Sequence, residues 1–244
     1  IPDEEPIRIG TIWELTGHGS AYGLSQANAA QMAVDEINAA GGVLGRDLEL
    51  VNYDSKTDDA EASILATRLP TNDGVIAIFG PSYTGGFLAS IPAGNLYKVP
   101  FLNSSVTQED VTLDENGEVF PYVWRTSTPN SIQAAGLTEF ATNTLGAQKG
   151  IILADNSTDY GTSWSAEFEN RFEGEIVSIE NFSTDQTDFS ATLTKINGMD
   201  FDVMFIPGYY EQLGPIVKQA REMGIDAPIL GSNGFGNPII YELA

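Results

Sequence analysis

Two series of alternating strand and helix signals predict an α/β protein whose parallel sheets are covered by helices on both faces. Short apolar runs rich in β-branched residues, such as 7–12 and 150–154, recur between longer stretches with helical spacing. Glycine, proline or asparagine punctuates most junctions. The alternation occurs twice, and the polar segment 125–130, which lacks any apolar period, separates the two series.

The elements follow in order. A strand at 7–12 leads to a helix at 26–40, with Ala30, Ala33, Val34 and Ile37 on one stripe and Gly41-Gly42 as its stop. A strand at 48–53 closes at Asp54. A helix at 60–69 ends at Pro70, which cannot donate to the helical ladder. Next come a strand at 75–79 ending in Gly80-Pro81, a helix at 86–97 and a strand at 99–102 entering Asn103. The second series has helices at 131–145, 161–172, 189–197 and 211–223. Its strands lie at 150–154, 176–179, 203–206 and 228–230. The crossing near 125–130 divides the chain into residues 1–125 and 126–244. The halves share no residue repeat, only the same architecture.

Hydrophobic residues make up 42% of the 244, enough for packed cores. No run of eighteen apolar residues exists to span a membrane, and no signal peptide is visible at Ile1. The polar opening Ile-Pro-Asp-Glu-Glu-Pro reads as the tail of a processed or trimmed chain. Cysteine is absent, which removes disulfides and thiolate chemistry. The formal charge is −23, with 18 acids against 6 bases in residues 1–125 and 16 against 5 thereafter. A charge so evenly negative disfavours nucleic acid, which needs a basic patch. It fits a surface adapted to salt.

Catalytic chemistry finds little footing. The single histidine, His18, lies between Gly17 and Gly19 and reads as an exposed loop residue. One histidine without cysteine cannot build the usual zinc sites. The acids from Asp54 to Glu61 lack the glycine and the final glutamate of a calcium loop, and no phosphate-binding glycine-lysine loop occurs. No catalytic residue, metal ligand or cofactor is therefore assigned. One rival is a nucleotide-dependent enzyme. Gly17, Gly19 and Gly23 follow the first strand and Asp54 closes the second, as in a dinucleotide fingerprint, although the third glycine falls one residue late.

Residues 9–46 contain Ile-Gly-Thr-Ile, Leu-Thr-Gly, Tyr-Gly and Ala-Val-Asp-Glu-Ile-Asn-Ala-Ala-Gly-Gly-Val-Leu-Gly-Arg, with Tyr53-Asp54 following. Together with Asp155-Asn-Ser-Thr-Asp-Tyr-Gly161 and the run from Gly208 to Gly224, they resemble type I periplasmic solute-binding proteins. The resemblance is greatest to the branched-chain amino acid-binding group of ABC transporters. It implies two Rossmann-like lobes with parallel sheets that close on a ligand in the cleft, in the manner of a Venus flytrap. It also implies a last crossing back to the first lobe beyond the point where this sequence stops, so a missing C-terminal part and an incomplete first lobe are expected.

The same resemblance implies the site. Ser82 and Thr84, with Tyr83 between them, would meet a ligand carboxylate at a helix start, and Ser104 and Ser105 would form the next contacting turn. Tyr22 would line the first lobe's side of the cleft, and Tyr160 and Tyr209 the second's. Trp13 is either a cleft or a core residue. Amino acid binders in the family carry an acid after the strand at 228–230 to pair the ligand's ammonium. Here that position is Asn233. Either Glu14 or Asp155 substitutes, or the ligand is not an ordinary α-amino acid. The implied function is a non-enzymatic binding protein, periplasmic or extracellular and lipid-anchored through a removed N-terminal signal where one is present, that hands an amino acid or a related small carboxylate or amide to a membrane permease. A sensory ligand-binding domain of the same fold is the further alternative.

Overall fold

A computed structural model describes residues 5–244. The first four residues of the expected polar tail lie outside the described residues. The chain forms two compact units. The first holds the chain through Val106 together with Asp110–Ser127. The second holds Thr107–Glu109 together with Thr128–Ala244. The short excursion into the second unit is tied there by hydrogen bonds from Asn130 N–H to the Thr107 carbonyl and from Ser131 N–H to Glu109 Oε1, both 2.7 Å.

In the first unit the order is β1 (Ile7–Trp13), α1 (Ser20–Ala39), β2 (Leu48–Asp54), α2 (Asp59–Asn72), β3 (Ile78–Phe79), α3 (Thr84–Tyr97), β4 (Phe101–Asn103) and β5 (Val123–Arg125). All strands are parallel, in the order β2-β1-β3-β4-β5. Strand order reverses after β2, so right-handed crossovers place α1 on one face and α2 and α3 on the other. The second face holds the core: Leu65 and Leu69 of α2 and Phe87 and Ile91 of α3 close over Ile12, Ile78, Phe101 and Val123.

The second unit opens with α4 (Asn130–Glu139) and a π-helical turn over Phe140–Thr144. Then come β6 (Lys149–Asp155), α5 (Asp159–Arg171), β7 (Glu175–Phe182), α6 (Ser190–Asn197), β8 (Val203–Ile206), α7 (Tyr210–Glu222), β9 (Ile229–Gly231), a 3₁₀ turn over Asn233–Gly236 and α8 (Ile240–Leu243). The sheet is again parallel, ordered β7-β6-β8-β9. Alternation along β6 shows the two-sided burial. Ile151 and Leu153 join Phe189, Leu193 and Leu213 in one core. On the other side Phe168 stacks on Phe205 of β8, with ring centroids 4.2 Å apart.

Several boundaries depart from the sequence reading. Helix α1 begins at Ser20, not near residue 26. Its first turn lies so close to β1 that a side chain on Gly23 would come within 2.2 Å of the Glu14 carbonyl, so this glycine serves contact and not a loop. Helix α2 runs through Pro70 to Asn72, because buried Leu65, Ala66 and Leu69 dock that turn against the core. The helix read at 131–145 widens into the π turn at Phe140. Strand β5, to which the sequence reading assigned no element, forms because β4 pairs with it from Phe101 to Asn103. No helix among the described residues is long and apolar enough to cross a membrane.

Candidate functional site

Ligands of open α/β sheets bind beyond the carboxyl ends of the strands where the order reverses. In the first unit that point lies between β1 and β3; in the second, between β6 and β8. The residues following these four strands are Glu14–Gly19, Gly80–Thr84, Asn156–Tyr160 and Pro207–Tyr210 by position.

In the first unit the Gly80-Pro81 peptide is cis, and Ser82 and Tyr83 approach the end of β1. Glu14 lies beneath them, 1% exposed. Its Oε1 accepts from Ser82 N–H at 3.0 Å and Tyr83 N–H at 3.2 Å, and its Oε2 accepts from Ser82 N–H at 3.1 Å. Burial pushes the Glu14 pKa up, against the lowering effect of hydrogen bonds from Ser82 and Tyr83. This employment was not read from the sequence. It bears on one candidate: the Glu14 carboxylate, considered as a partner for a ligand ammonium, is engaged by the Ser82 and Tyr83 N–H groups.

The loop after β4 is coupled to the same set. Asn103 Nδ2 donates to the Pro81 carbonyl at 2.5 Å, while its Oδ1 accepts from Ser105 N–H and Val106 N–H. Ser105 Oγ donates to the Ser82 carbonyl at 2.8 Å. The Tyr83 ring meets Tyr22 edge-on at 5.9 Å and His18 at 5.7 Å. Thr84 opens the fourteen-residue α3, whose N-terminus has no side-chain cap. Thus Tyr22, Ser82, Tyr83, Thr84 and Ser105 gather at one edge. Ser104 turns the other way: its hydroxyl lies 3.5 Å from Gln26 of α1, and it lines an apolar groove of about 390 Å³ under that helix. Buried Trp13 lines the groove too.

Asp54 organises the loop that carries Glu14 and His18. Its Oδ1 accepts from the N–H groups of Leu15, Thr16 and Lys56 at 2.8–3.1 Å, and its Oδ2 from Thr16 Oγ1 at 2.6 Å. Burial raises its pKa, but the bonds from Thr16, Lys56 and Leu15 win and hold it below the usual carboxylate value. The acid that the dinucleotide reading assigned to a ribose thus serves to hold the loop after β1.

In the second unit Tyr160, 3% exposed, sits in the first turn of α5, whose N-terminus is capped by Thr158 Oγ1 accepting from Gly161 N–H. Its ring stacks on Tyr209 with centroids 4.6 Å apart. Its hydroxyl lies 2.8 Å from Ser232 Oγ and 2.6 Å from Asn233 Oδ1, and accepts from Gly234 N–H at 3.1 Å. Burial drives its pKa far up, so it stays a neutral phenol. Asp155, fully buried, spends one oxygen on Ser157 N–H and Oγ and the other on Thr184 Oγ1. It is therefore not the substitute acid considered for a ligand amine. Tyr160, Tyr209 and Asn233 form one set in this unit. Among the described residues no cluster of acids and histidine is arranged to hold a metal.

The family model described as periplasmic binding protein matches residues 6–241. The leucine-, isoleucine-, valine-, threonine- and alanine-binding protein of Pseudomonas aeruginosa is 27% identical over 98% of this chain and 64% of its own length. The isoleucine complex of a branched-chain amino acid transporter substrate-binding protein from Streptococcus pneumoniae superposes with a TM-score of 0.90. It is 39% identical over 95% of this chain and 65% of that one. A solute-binding protein of an ABC transporter from Rhodopseudomonas palustris, in complex with 3,4-dihydroxybenzoic acid, gives a TM-score of 0.83 and 26% identity over 95% of this chain and 63% of that one. The chain thus spans just under two thirds of the length of these relatives.

Proposed function

The chain belongs to the periplasmic binding protein family, and on that premise we propose that the protein captures a small organic carboxylate outside the cytoplasm and delivers it to an ABC permease. The observation that carries this reading is the place of the two polar and aromatic sets, each at the point where its sheet's strand order reverses. The two solved relatives hold isoleucine and 3,4-dihydroxybenzoic acid, ligands that share a carboxylate on otherwise different skeletons. The first unit offers the matching donors. The Thr84 hydroxyl and the opening N–H groups of α3 lie at the positive end of a helix dipole without a side-chain cap. Tyr22, Tyr83, Tyr160 and Tyr209 add apolar faces with polar tips, suited to an amino acid or an aromatic acid.

Nothing in either set pairs a nucleophile with a base, so the reading is binding without chemistry. The permease partner, and a lipid tether on the full protein, belong to the same reading; membrane fractionation of cells decides the tether. Isothermal titration of the full protein against isoleucine, benzoate and simple amides tests the ligand class. At least one carboxylate binds, the amides do not, and Thr84→Ala weakens binding by about 1–3 kcal/mol. Absence of binding by every carboxylate, or undiminished binding by Thr84→Ala, overturns the assignment.

A further inference from the structure

Glu14 joins the two strand ends that flank the reversal point of the first sheet. It follows β1, and its carboxylate bonds the N–H groups of Ser82 and Tyr83 just beyond β3. A charge buried to 1% exposure is costly unless its surroundings oppose it. Among the described residues no cation pairs with Glu14; what surrounds the carboxylate is N–H donors. Such charge-assisted bonds are about twice as strong as neutral ones. The acid is itself held in place. Helix α1 lies against its backbone, where a side chain on Gly23 would come within 2.2 Å of the Glu14 carbonyl oxygen. On the other flank Asp54 accepts from Leu15 N–H at 2.9 Å. The turn above it is gripped from both sides. Glu14 takes the Ser82 N–H, Ser105 Oγ bonds the Ser82 carbonyl, and Asn103 Nδ2 bonds the Pro81 carbonyl. Tyr83 directly precedes Thr84, the first residue of α3.

We propose that Glu14 is a positioning residue for carboxylate capture. It acts through the turn it holds and not by touching the ligand. This rests on the carboxylate-binding reading above and adds a residue to it, and every group involved lies in the first unit. Without the carboxylate, the Ser82 and Tyr83 N–H groups lose their acceptor in a buried place and turn toward water. The Thr84 hydroxyl and the opening N–H groups of α3 then lose their fixed direction. A ligand binds only those molecules whose turn has the receiving conformation, so the apparent affinity falls by that fraction. Glu14→Gln keeps an oxygen where Oε1 accepts from both N–H groups. Glu14→Asp keeps the charge but draws it back by a methylene group, out of reach of the turn.

Titration calorimetry of the full protein with isoleucine and with benzoate, alongside melting temperatures, tests this. Glu14→Ala weakens whichever carboxylate binds by about tenfold at unchanged stoichiometry, as when about one molecule in ten keeps the receiving turn. Glu14→Gln stays within about threefold of the unaltered protein, because the acceptor survives. Leu69→Ala, on the inner face of α2, lowers the melting temperature and leaves the affinity unchanged. That control separates positioning from stability, since a purely structural loss would move both variants alike. Undiminished affinity in Glu14→Ala, equal weakening in Glu14→Gln, or equal weakening in Leu69→Ala overturns the role of Glu14 while the carboxylate reading stands. Should Glu14→Ala fail to fold, Glu14→Asp takes its place: the same weakening is expected, and undiminished affinity overturns the proposal. Heat with neither carboxylate in the unaltered protein overturns both.

Discussion

Glu14 and Asp54 are neighbouring acids with opposite pH signatures. Glu14 is raised by burial, so between its unfolded value of 4.5 and its higher folded value the native state holds the extra proton. Its contribution to stability is most favourable below 4.5, falls as pH rises through the folded value and is flat above it. Asp54 is lowered, so its stabilisation is present above its unfolded value of 3.8 and is lost as pH falls through the folded one. Glu14→Gln keeps an acceptor for Ser82 and Tyr83 N–H and removes the charge. Urea midpoints at pH of about 5 and about 7 should then differ less in the variant than in the unaltered protein. Glu14→Ala orphans two buried N–H groups and should cost about 2–4 kcal/mol; a loss below that range would mean water replaces the carboxylate. These acids mark where sequence reasoning ran short. Tyr160 and Tyr209 were readable as candidates because their stretches follow the family pattern, and Asn233 because it departs from that pattern. The work of Glu14 was not, because its partners are backbone groups 68 and 69 residues away.

At the scale of elements, the alternation of strands and helices was legible wherever an element carries its own apolar period. It failed where neighbours decide. Strand β5 is three residues long and is held by β4, and α2 passes through Pro70 on the strength of its packing. Glycine was the least legible residue: Gly23 read as a loop signal yet stands inside α1 against the Glu14 backbone, and Gly161, read as the first residue of its helix, packs in the first turn of α5 against the Asp155 carbonyl. Two substitutions separate these meanings. A side chain on Gly161 would come within 2.1 Å of the Asp155 carbonyl, so Gly161→Ala forces α5 from the end of β6 and should destabilise by about 1–3 kcal/mol. Gly136 lies within α4 with nothing within 4 Å of the added carbon. Gly136→Ala should stabilise by about 0.5–1 kcal/mol through lost freedom of the unfolded chain. Denaturant midpoints of the two variants should move in opposite directions; equal losses would show that glycine spacing in this unit reflects conformation alone.

For the molecule as a whole, the dominant electrostatic fact is 34 acids against 11 bases. Ion pairs do little to balance it. Arg8 with Glu49, Lys56 with Glu61 and Lys149 with Asp200 are largely exposed, and such pairs contribute about 0–1 kcal/mol each. Folding concentrates the uncompensated charge, and the resulting repulsion opposes the compact state. Screening length falls from about 10 Å at 0.1 M salt to about 3 Å at 1 M. Added potassium chloride should therefore raise the melting temperature. A relief of about 2 kcal/mol corresponds to roughly 4–8 °C for a chain of this size. The rise should be steepest below about 0.5 M, where screening changes most, and should shrink at pH near 4, where carboxylates begin to take up protons. Sucrose at matched osmolality separates screening from general exclusion of solutes, because it lacks ions. A melting temperature that is flat in salt, or that rises as much in sucrose, would show that the acidic coat is dispersed enough to repel itself little. The negative charge would then act on solubility and on the choice of partners, with no measurable part in stability.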